Sequence, residues 1–348
     1  MKRNRIFPVI VMMMLLWGGR FGLHAQTQPN LADVDRVGTT AAQFLKIPAG
    51  ARAIGLGGAY SALATDISAV YWNPAGIARI GGNGESIFNH ANWLADTKYD
   101  FAAFSVNLGL MGSVAAHIIS FSVPEDVVRT IEHPDGTGEV WRANMIAIGV
   151  TYARNLTDRF SIGFTGKYVQ ETIYAMTARG AAMDIGFMYT TPYDKLVIGA
   201  AISNFGTKMH IIGRNLYFNE DPLPEPGTVD AVPSEYRTGY YDMPLGLRFG
   251  LAWHAYKSEN LKVVAVLDGN EPNDNSQYYN TGVEVGIRDM LFLRAGYRAL
   301  LLENSEQGLT FGFGIRYDAV GTNLKFDFGW ADYGRLNNVQ FVSLSIRY

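Results

Sequence analysis

Cysteine is absent from all 348 residues, which excludes a disulfide framework and any thiolate metal site. Charge is scarce as well. Asp, Glu, Lys and Arg make up 18% of the chain and sum to −3, too little of either sign to hold a nucleic acid or another polyanion. Past Ala25 no apolar run reaches the roughly 18 residues of a transmembrane helix. What the chain has in quantity is glycine (38), tyrosine (19) and phenylalanine (19), a balance that suits many strands with small residues on one face and aromatic ones on the other.

The first residues carry an address. Lys2, Arg3 and Arg5 precede an almost wholly apolar stretch from Ile6 to Trp17, which breaks at Gly18-Gly19-Arg20 and reaches a small residue at Ala25, before Gln26. This is the pattern of a cleavable export signal over residues 1–25, and the apolar stretch is too short for an anchor.

Strict alternation governs the C-terminal half. Val342, Leu344, Ile346 and Tyr348 alternate with Phe341, Ser343, Ser345 and Arg347; Leu309, Phe311, Phe313, Ile315 and Tyr317 alternate with glycine, Thr310 and Arg316. Period two over about ten residues is a strand with unlike faces. Reading backwards, strands are expected near 338–348, 322–332, 308–317, 290–299, 279–288, 261–268, 244–257, 195–204, 180–191, 159–171, 142–155, 111–123, 97–108 and 84–93, fourteen in all. Tight connections at 155–159, 191–195, 257–261, 288–290 and 318–321 alternate with long ones at 124–141, 205–243 and 268–278. Short turns on one side and long loops on the other are the habit of a bacterial transmembrane barrel, with both termini on the short side.

Alternation alone also describes a soluble sandwich. Two features favour the barrel. Trp93, Trp141, Tyr152, Trp253, Tyr297, Tyr317, Trp330 and Tyr348 fall at strand ends, where interfacial girdles lie. The polar faces carry glycine and charges of both signs, including Lys167, Arg248, Glu284, Arg294, Lys325 and Asp327, as a wet lumen would. The expected fold is therefore an all-β transmembrane antiparallel β-barrel over 84–348, facing outer-membrane lipid. An N-terminal plug is expected over 26–83, where small residues crowd and Asn73-Pro74 forms a turn.

The blocks Pro48-Ala49-Gly50-Ala51-Arg52-Ala53, Gly55-Leu56-Gly57-Gly58-Ala59 and Tyr71-Trp72-Asn73-Pro74-Ala75-Gly76 make the segment from Ala42 to Ile80 resemble the PorV/PorQ family of outer-membrane proteins, related to the FadL-type barrels. The resemblance in detail covers about forty residues. It implies a hatch formed by the N-terminal segment. For members similar to PorV it also implies a part in type IX secretion, in which the barrel receives cargo bearing a C-terminal signal domain from the translocon and passes it on.

Sites for bond chemistry are not evident, and neither a catalytic residue nor a cofactor is expected. Gly55-Leu56-Gly57-Gly58 lacks the third spaced glycine and the βαβ setting of a dinucleotide loop. The histidines show no metal-ligand spacing, and Asp268 to Asp274 lacks the glycine of a calcium loop. The loop 205–243 reads either as a solvated, proline-stiffened loop or as a partner-docking surface in which Glu225, Tyr236, Tyr240 and Tyr241 make contact. Two functions remain open: protein transfer in type IX secretion, or a FadL-like channel for hydrophobic solutes, which would want an apolar pocket beneath the plug. A purely structural membrane protein is a weaker third.

Overall fold

The computed structural model describes residues 36–193, 195–221, 231–319 and 321–348. The expected export signal and Glu225 lie outside these. Strands in chain order are β1 Gly84–Asn92, β2 Lys98–Asn107, β3 Ser113–Val127, β4 Val140–Asn155, β5 Phe160–Ile173, β6 Met176–Thr190, β7 Leu196–Gly206, β8 Ile211–Gly213, β9 Tyr217–Glu220, β10 Val232–Glu235, β11 Gly246–Lys257, β12 Leu261–Pro272, β13 Tyr278–Ile287, β14 Leu291–Leu300, β15 Leu309–Ala319, β16 Thr322–Asp332 and β17 Asn338–Arg347. All but β8, β9 and β10 join one antiparallel ring, β1 to β7 followed by β11 to β17, which makes fourteen strands. The ring closes where β1 meets β17, with Phe88 opposite Leu344. Tyr348 seals that seam: its amide donates to the Gly84 carbonyl (3.1 Å) and its hydroxyl to the Ser105 carbonyl (3.0 Å). Closure leaves no unpaired edge to face lipid.

The short β8 hooks onto β6, and β9 and β10 form a separate hairpin within the loop from 207 to 245. The connections at the end where β1 begins and β17 finishes are all short: 108–112, 156–159, 191–195, 258–260, 288–290 and 320–321. By the usual rule this is the periplasmic, inner end. The outer end departs from the expected run of long loops, because β5 and β6 are joined there by residues 174–175 alone. Height on that side comes from strand instead. β3 to β6 run 14 to 16 residues, against 10 for β13 and β14. The loop expected from Asp268 also shrinks to 273–277, since Asp268 and Asn270 continue β12 with their side chains turned inward.

Outward side chains divide the ring into two walls. On β11 to β15, Leu247, Phe249, Leu267, Tyr279, Tyr297, Leu309, Phe311 and Phe313 are exposed almost to the outer strand ends. A soluble protein does not leave so much contiguous apolar surface uncovered; hydrocarbon is its solvent. On β1 to β6 the apolar band stops lower. His90, Asp100, Ser120, Ile146, Gln170 and Arg179 stand in register, and above them come Asn92, Lys98, Ser122, Asn144, Thr172 and Thr177. Those two outward rows add roughly 13 Å of strand with a water-compatible face.

Inside the ring lies segment 36–83. Its short helices are Gln43–Lys46, Ala51–Gly55, Ala69–Trp72 and Pro74–Arg79. Phe44, Leu45, Val70 and Ile77 join one buried cluster with inward Tyr99, Phe101, Ile119 and Val169. The lumen is thus less polar than the sequence suggested, because the segment's own apolar side chains need apolar partners on the wall.

Candidate functional site

Segment 36–83 meets the wall by close backbone approach. Four glycine pairs face each other across neighbouring strands: Gly163 with Gly186, Gly199 with Gly250, Gly282 with Gly296, and Gly312 with Gly329. Each receives a piece of the segment. A Cβ on Gly163 or Gly186 would strike Pro74 or Asn73, one on Gly199 would strike Ser61, and one on Gly282 would lie 2.6 Å from the Leu56 carbonyl. One on Gly329 would lie 2.7 Å from the Ala51 carbonyl. The inward glycines therefore make room for chain, where the sequence suggested a wet lumen.

The motif residues occupy these seats. Gly55 abuts Gly312, and Gly57, at φ 69°, has no space for a side chain beside the Tyr297 and Thr281 carbonyls. Gly58, at φ 76°, lies under the Trp72 ring. Trp72 donates from Nε1 to the Ala49 carbonyl (2.8 Å), and the Tyr71 hydroxyl to the Leu45 carbonyl (3.1 Å). Arg248 on β11 lies over both rings, 5.3 and 5.1 Å from their centroids, and donates to the Tyr71 carbonyl (3.2 Å). Asn73 is fully buried and spends every polar atom: Nδ2 donates to the Ser61 (2.8 Å) and Phe187 (3.0 Å) carbonyls, and Oδ1 accepts the Ala75 amide, capping the turn that Pro74 opens. Ala75 is buried beside it.

Sequence reasoning missed the charged half of the site. Arg52 forms a fork with Glu284 on β13 (2.9 and 2.7 Å) and also reaches the Tyr60 hydroxyl (3.0 Å) and Asp66 (3.2 Å). Arg294 on β14 binds the same Glu284 (2.7 Å) and Asp327 on β16 (2.6 Å). Nearby, Lys325 and Arg347 each hold Glu85 at 2.7 Å. The available signal was a lone arginine, Arg52, in a run of small residues, opposite inward charges that fall on adjacent strands.

Two aspartates tie the outer part of the segment. Asp268 accepts from the Tyr60 amide (3.0 Å), the Ser61 amide (2.9 Å) and the Ser61 hydroxyl (2.7 Å). Asp274, in the loop 273–277, accepts from Thr40 (2.8 Å), Gln43 (2.7 Å) and Lys46 (2.9 Å). Burial alone would raise the Asp274 carboxyl, but the bonds from Gln43, Lys46 and Thr40 outweigh it and hold it below the usual carboxylate value. Among the described residues no group of three or more His, Asp or Glu side chains could hold a metal.

Above the segment the outer mouth opens as a bowl of about 470 Å³, floored by Phe44 and Ile47 and walled by Trp93, Phe121, Met145 and Tyr333. Trp93 belongs to this bowl, not to an outer girdle: it sits edge-on to Tyr333 at 5.2 Å and to Phe341 at 6.0 Å. Tyr236, Tyr240 and Tyr241 are all exposed on the loop 207–245. Tyr236 stacks on Phe218 (4.4 Å), Tyr240 packs on His210 (4.4 Å), and Tyr241 forms a backbone bridge with Met209.

Comparison with known proteins follows this architecture. Among solved structures the chain is similar to the toluene transporter TodX of Pseudomonas putida, with a TM-score of 0.55 at 13% identity over 86% of this chain and 96% of that one. It is also similar to the toluene transporter TbuX of Ralstonia pickettii (TM-score 0.52, 14% identity, 86% and 97% covered) and to a FadL homologue of Pseudomonas aeruginosa (0.50, 12%, 85% and 97%). At such identities the likeness establishes the barrel fold. No curated protein matches the chain in sequence. The family model described as type IX secretion system protein PorV matches residues 30–210, more than half of the chain. With that match, a closed transmembrane ring and an apolar outer face, the chain is an outer-membrane β-barrel and belongs to the PorV family.

Proposed function

We propose that this barrel is a binding and transfer component of type IX secretion, which takes cargo carrying a C-terminal signal domain from the translocon and presents it at the cell surface. Its work is recognition, with no bond made or broken. The observation that carries this reading is how firmly the lumen is filled: the segment acts as a plug, seated in four glycine pairs and bolted by the Arg52 network. Two of the cavities left beside it measure about 30 and 10 Å³, room for a few waters at most, and a third, of about 130 Å³, lies beneath the outer mouth next to Tyr71, Trp72 and Arg248. A plugged ring leaves its outer mouth and the loop 207–245 as the surfaces that meet partners.

The second reading, a channel for hydrophobic solutes, is favoured by one feature, the apolar bowl at the outer mouth. A deletion strain separates the two. Under the transfer reading, proteins with the C-terminal signal accumulate unprocessed in the periplasm. Normal maturation and release of those proteins, together with lost uptake of a labelled long-chain fatty acid, would reverse the order of the two readings.

A further inference from the structure

The inner ends of the strands carry a contrast that complements the one at the outer ends. The turn 108–112, between β2 and β3, exposes Leu108, Leu110 and Met111, and Leu110 is 93% exposed. Leu156 is exposed in the next inner turn round the ring, 156–159. On the far side the pattern reverses. β12 stands seven strands from β2 among the fourteen, and the inner turn there is Ser258-Glu259-Asn260, followed in the next by Arg288 and Asp289 beside Met290. The outer ends run the opposite way. Outward apolar residues stop at Phe88 on β1, Ala102 on β2 and Ile118 on β3, with His90, Asp100 and Ser120 above them. On β11 and β13, which face β1 and β3 across the ring, they continue to Leu247 and Tyr279. An apolar band that lies low on one side and high on the other is a slanted band, and lipid sets its plane.

The backbone of the turn 108–112 is suited to a dry setting. The amides of 108, 109, 111 and 112 are bonded to the Gly112 carbonyl (2.8 Å), the Asn107 side chain (2.9 Å), the Leu108 carbonyl (3.4 Å) and the Gly109 carbonyl (3.0 Å). Tyr152, exposed on the outside of β4, donates its hydroxyl to the Met111 carbonyl (2.8 Å). Hydrocarbon demands that backbone groups be satisfied within the protein; water does not. Beside the turn, a Cβ on Gly112 would lie 3.2 Å from that of Arg154, a side chain long enough to reach lipid phosphate from that depth. Asp158 and Arg159 lie one turn further on. We infer that the barrel stands tilted in the membrane, with the turn 108–112 sunk among the acyl chains of the inner leaflet and the outer ends of β1 to β3 lifted clear of the outer leaflet. Continuity favours lipid over a periplasmic protein as the cover of this turn, because Leu108 and Leu110 extend the outward file of Phe104 and Val106 on a surface that already faces lipid. A band displaced by roughly 10 Å across a ring roughly 30 Å wide leans by an angle on the order of 20°. The mouth is then lopsided, walled by β1 to β3 on one side and level with the lipid at β11 to β13 on the other. None of this depends on what the barrel carries.

The absence of cysteine makes the test direct. The single variants Leu110→Cys, Glu259→Cys, Ser122→Cys and Tyr279→Cys each carry one small polarity-sensitive fluorophore on the full chain, folded in phosphatidylcholine vesicles. Quenching by nitroxides on the lipid tails is compared with quenching by iodide present on both faces. Iodide is an ion and stays out of hydrocarbon, so at the inner end the label at 110 is expected to be about threefold or more less open to it than the label at 259, and the more strongly quenched from the lipid. At the outer end the label at 279 should lie in lipid and the label at 122 in water, with a difference of about the same size. Labels at 110 and 259 equally open to iodide overturn the inference. So does a shielded label at 110 combined with equal depths at 122 and 279, since that describes an upright barrel with one apolar turn. Met111→Cys takes the place of Leu110→Cys should the latter lose the heat-modifiable gel mobility of a folded barrel. The vesicles hold no second protein, so shielding at 110 there is shielding by lipid.

Discussion

The two walls of the ring solve the same problem in opposite ways. From β11 to β15 the outside is apolar almost to the rim, and inward charges on β13, β14 and β16 hold segment 36–83 there by Arg52 on Glu284 within a lattice that includes Arg294 and Asp327. From β1 to β6 the outside turns polar in its outer rows, and the inside meets the segment with Tyr99, Phe101, Ile119 and Val169. One wall turns polar groups to the inner segment and apolar ones to lipid; the other does the reverse over its outer part. A barrel does not need uniform walls, only one solvent matched to each face at each height.

The largest effect expected from breaking this contrast comes from the charged side. Arg52→Ala leaves buried Glu284 and Asp66 short of a cation and should lower stability by about 3–5 kcal/mol, read from urea unfolding in lipid vesicles. A loss below about 1 kcal/mol would mean that ion pairs are not what holds the inner segment to that wall. Next, arginine placed on the outside should report the solvent directly. Phe313→Arg on β15 is expected to cost about 2–4 kcal/mol in vesicles, whereas Ser120→Arg on β3 should stay within about 0.5 kcal/mol. Matching penalties at the two positions would show that both walls sit at the same depth in lipid.

The smallest effect concerns pH. Asp274 has its carboxyl lowered in the folded protein, so its bonds to Thr40, Gln43 and Lys46 contribute fully above the unfolded value of about 3.9. That contribution fades as pH falls through the lowered value. Acid titration followed by tryptophan fluorescence should show a step below pH about 4 that Asp274→Asn abolishes. A step that persists in the variant would assign it to another carboxylate.

Much of the ring was legible in the sequence because lipid on one side and the packed interior on the other force strict alternation, as from Leu309 to Tyr317. Alternation failed where it met an unusual demand. Asp268 and Asn270 look like loop residues, yet they extend β12, where Asp268 turns inward to accept from Tyr60 and Ser61 of the inner segment. Trp93 looks like a girdle residue and turns inward to pack on Tyr333. The inward glycines were visible; their purpose was not, since a missing side chain reads the same whether water or a backbone takes its place.

The amide of Ala51 donates to the Ser343 hydroxyl at 2.9 Å, across 292 residues of chain. The seat of the inner segment is therefore complete only when the last strand is in place. Contacts at such separation are slow to form, so the inner segment and the closing seam both depend on the same last strand. A truncated product ending before β17 would keep strands enough for most of a sheet, yet it would have neither a closed seam nor a home for Ala51, and would reach the membrane as a chain still waiting to fold.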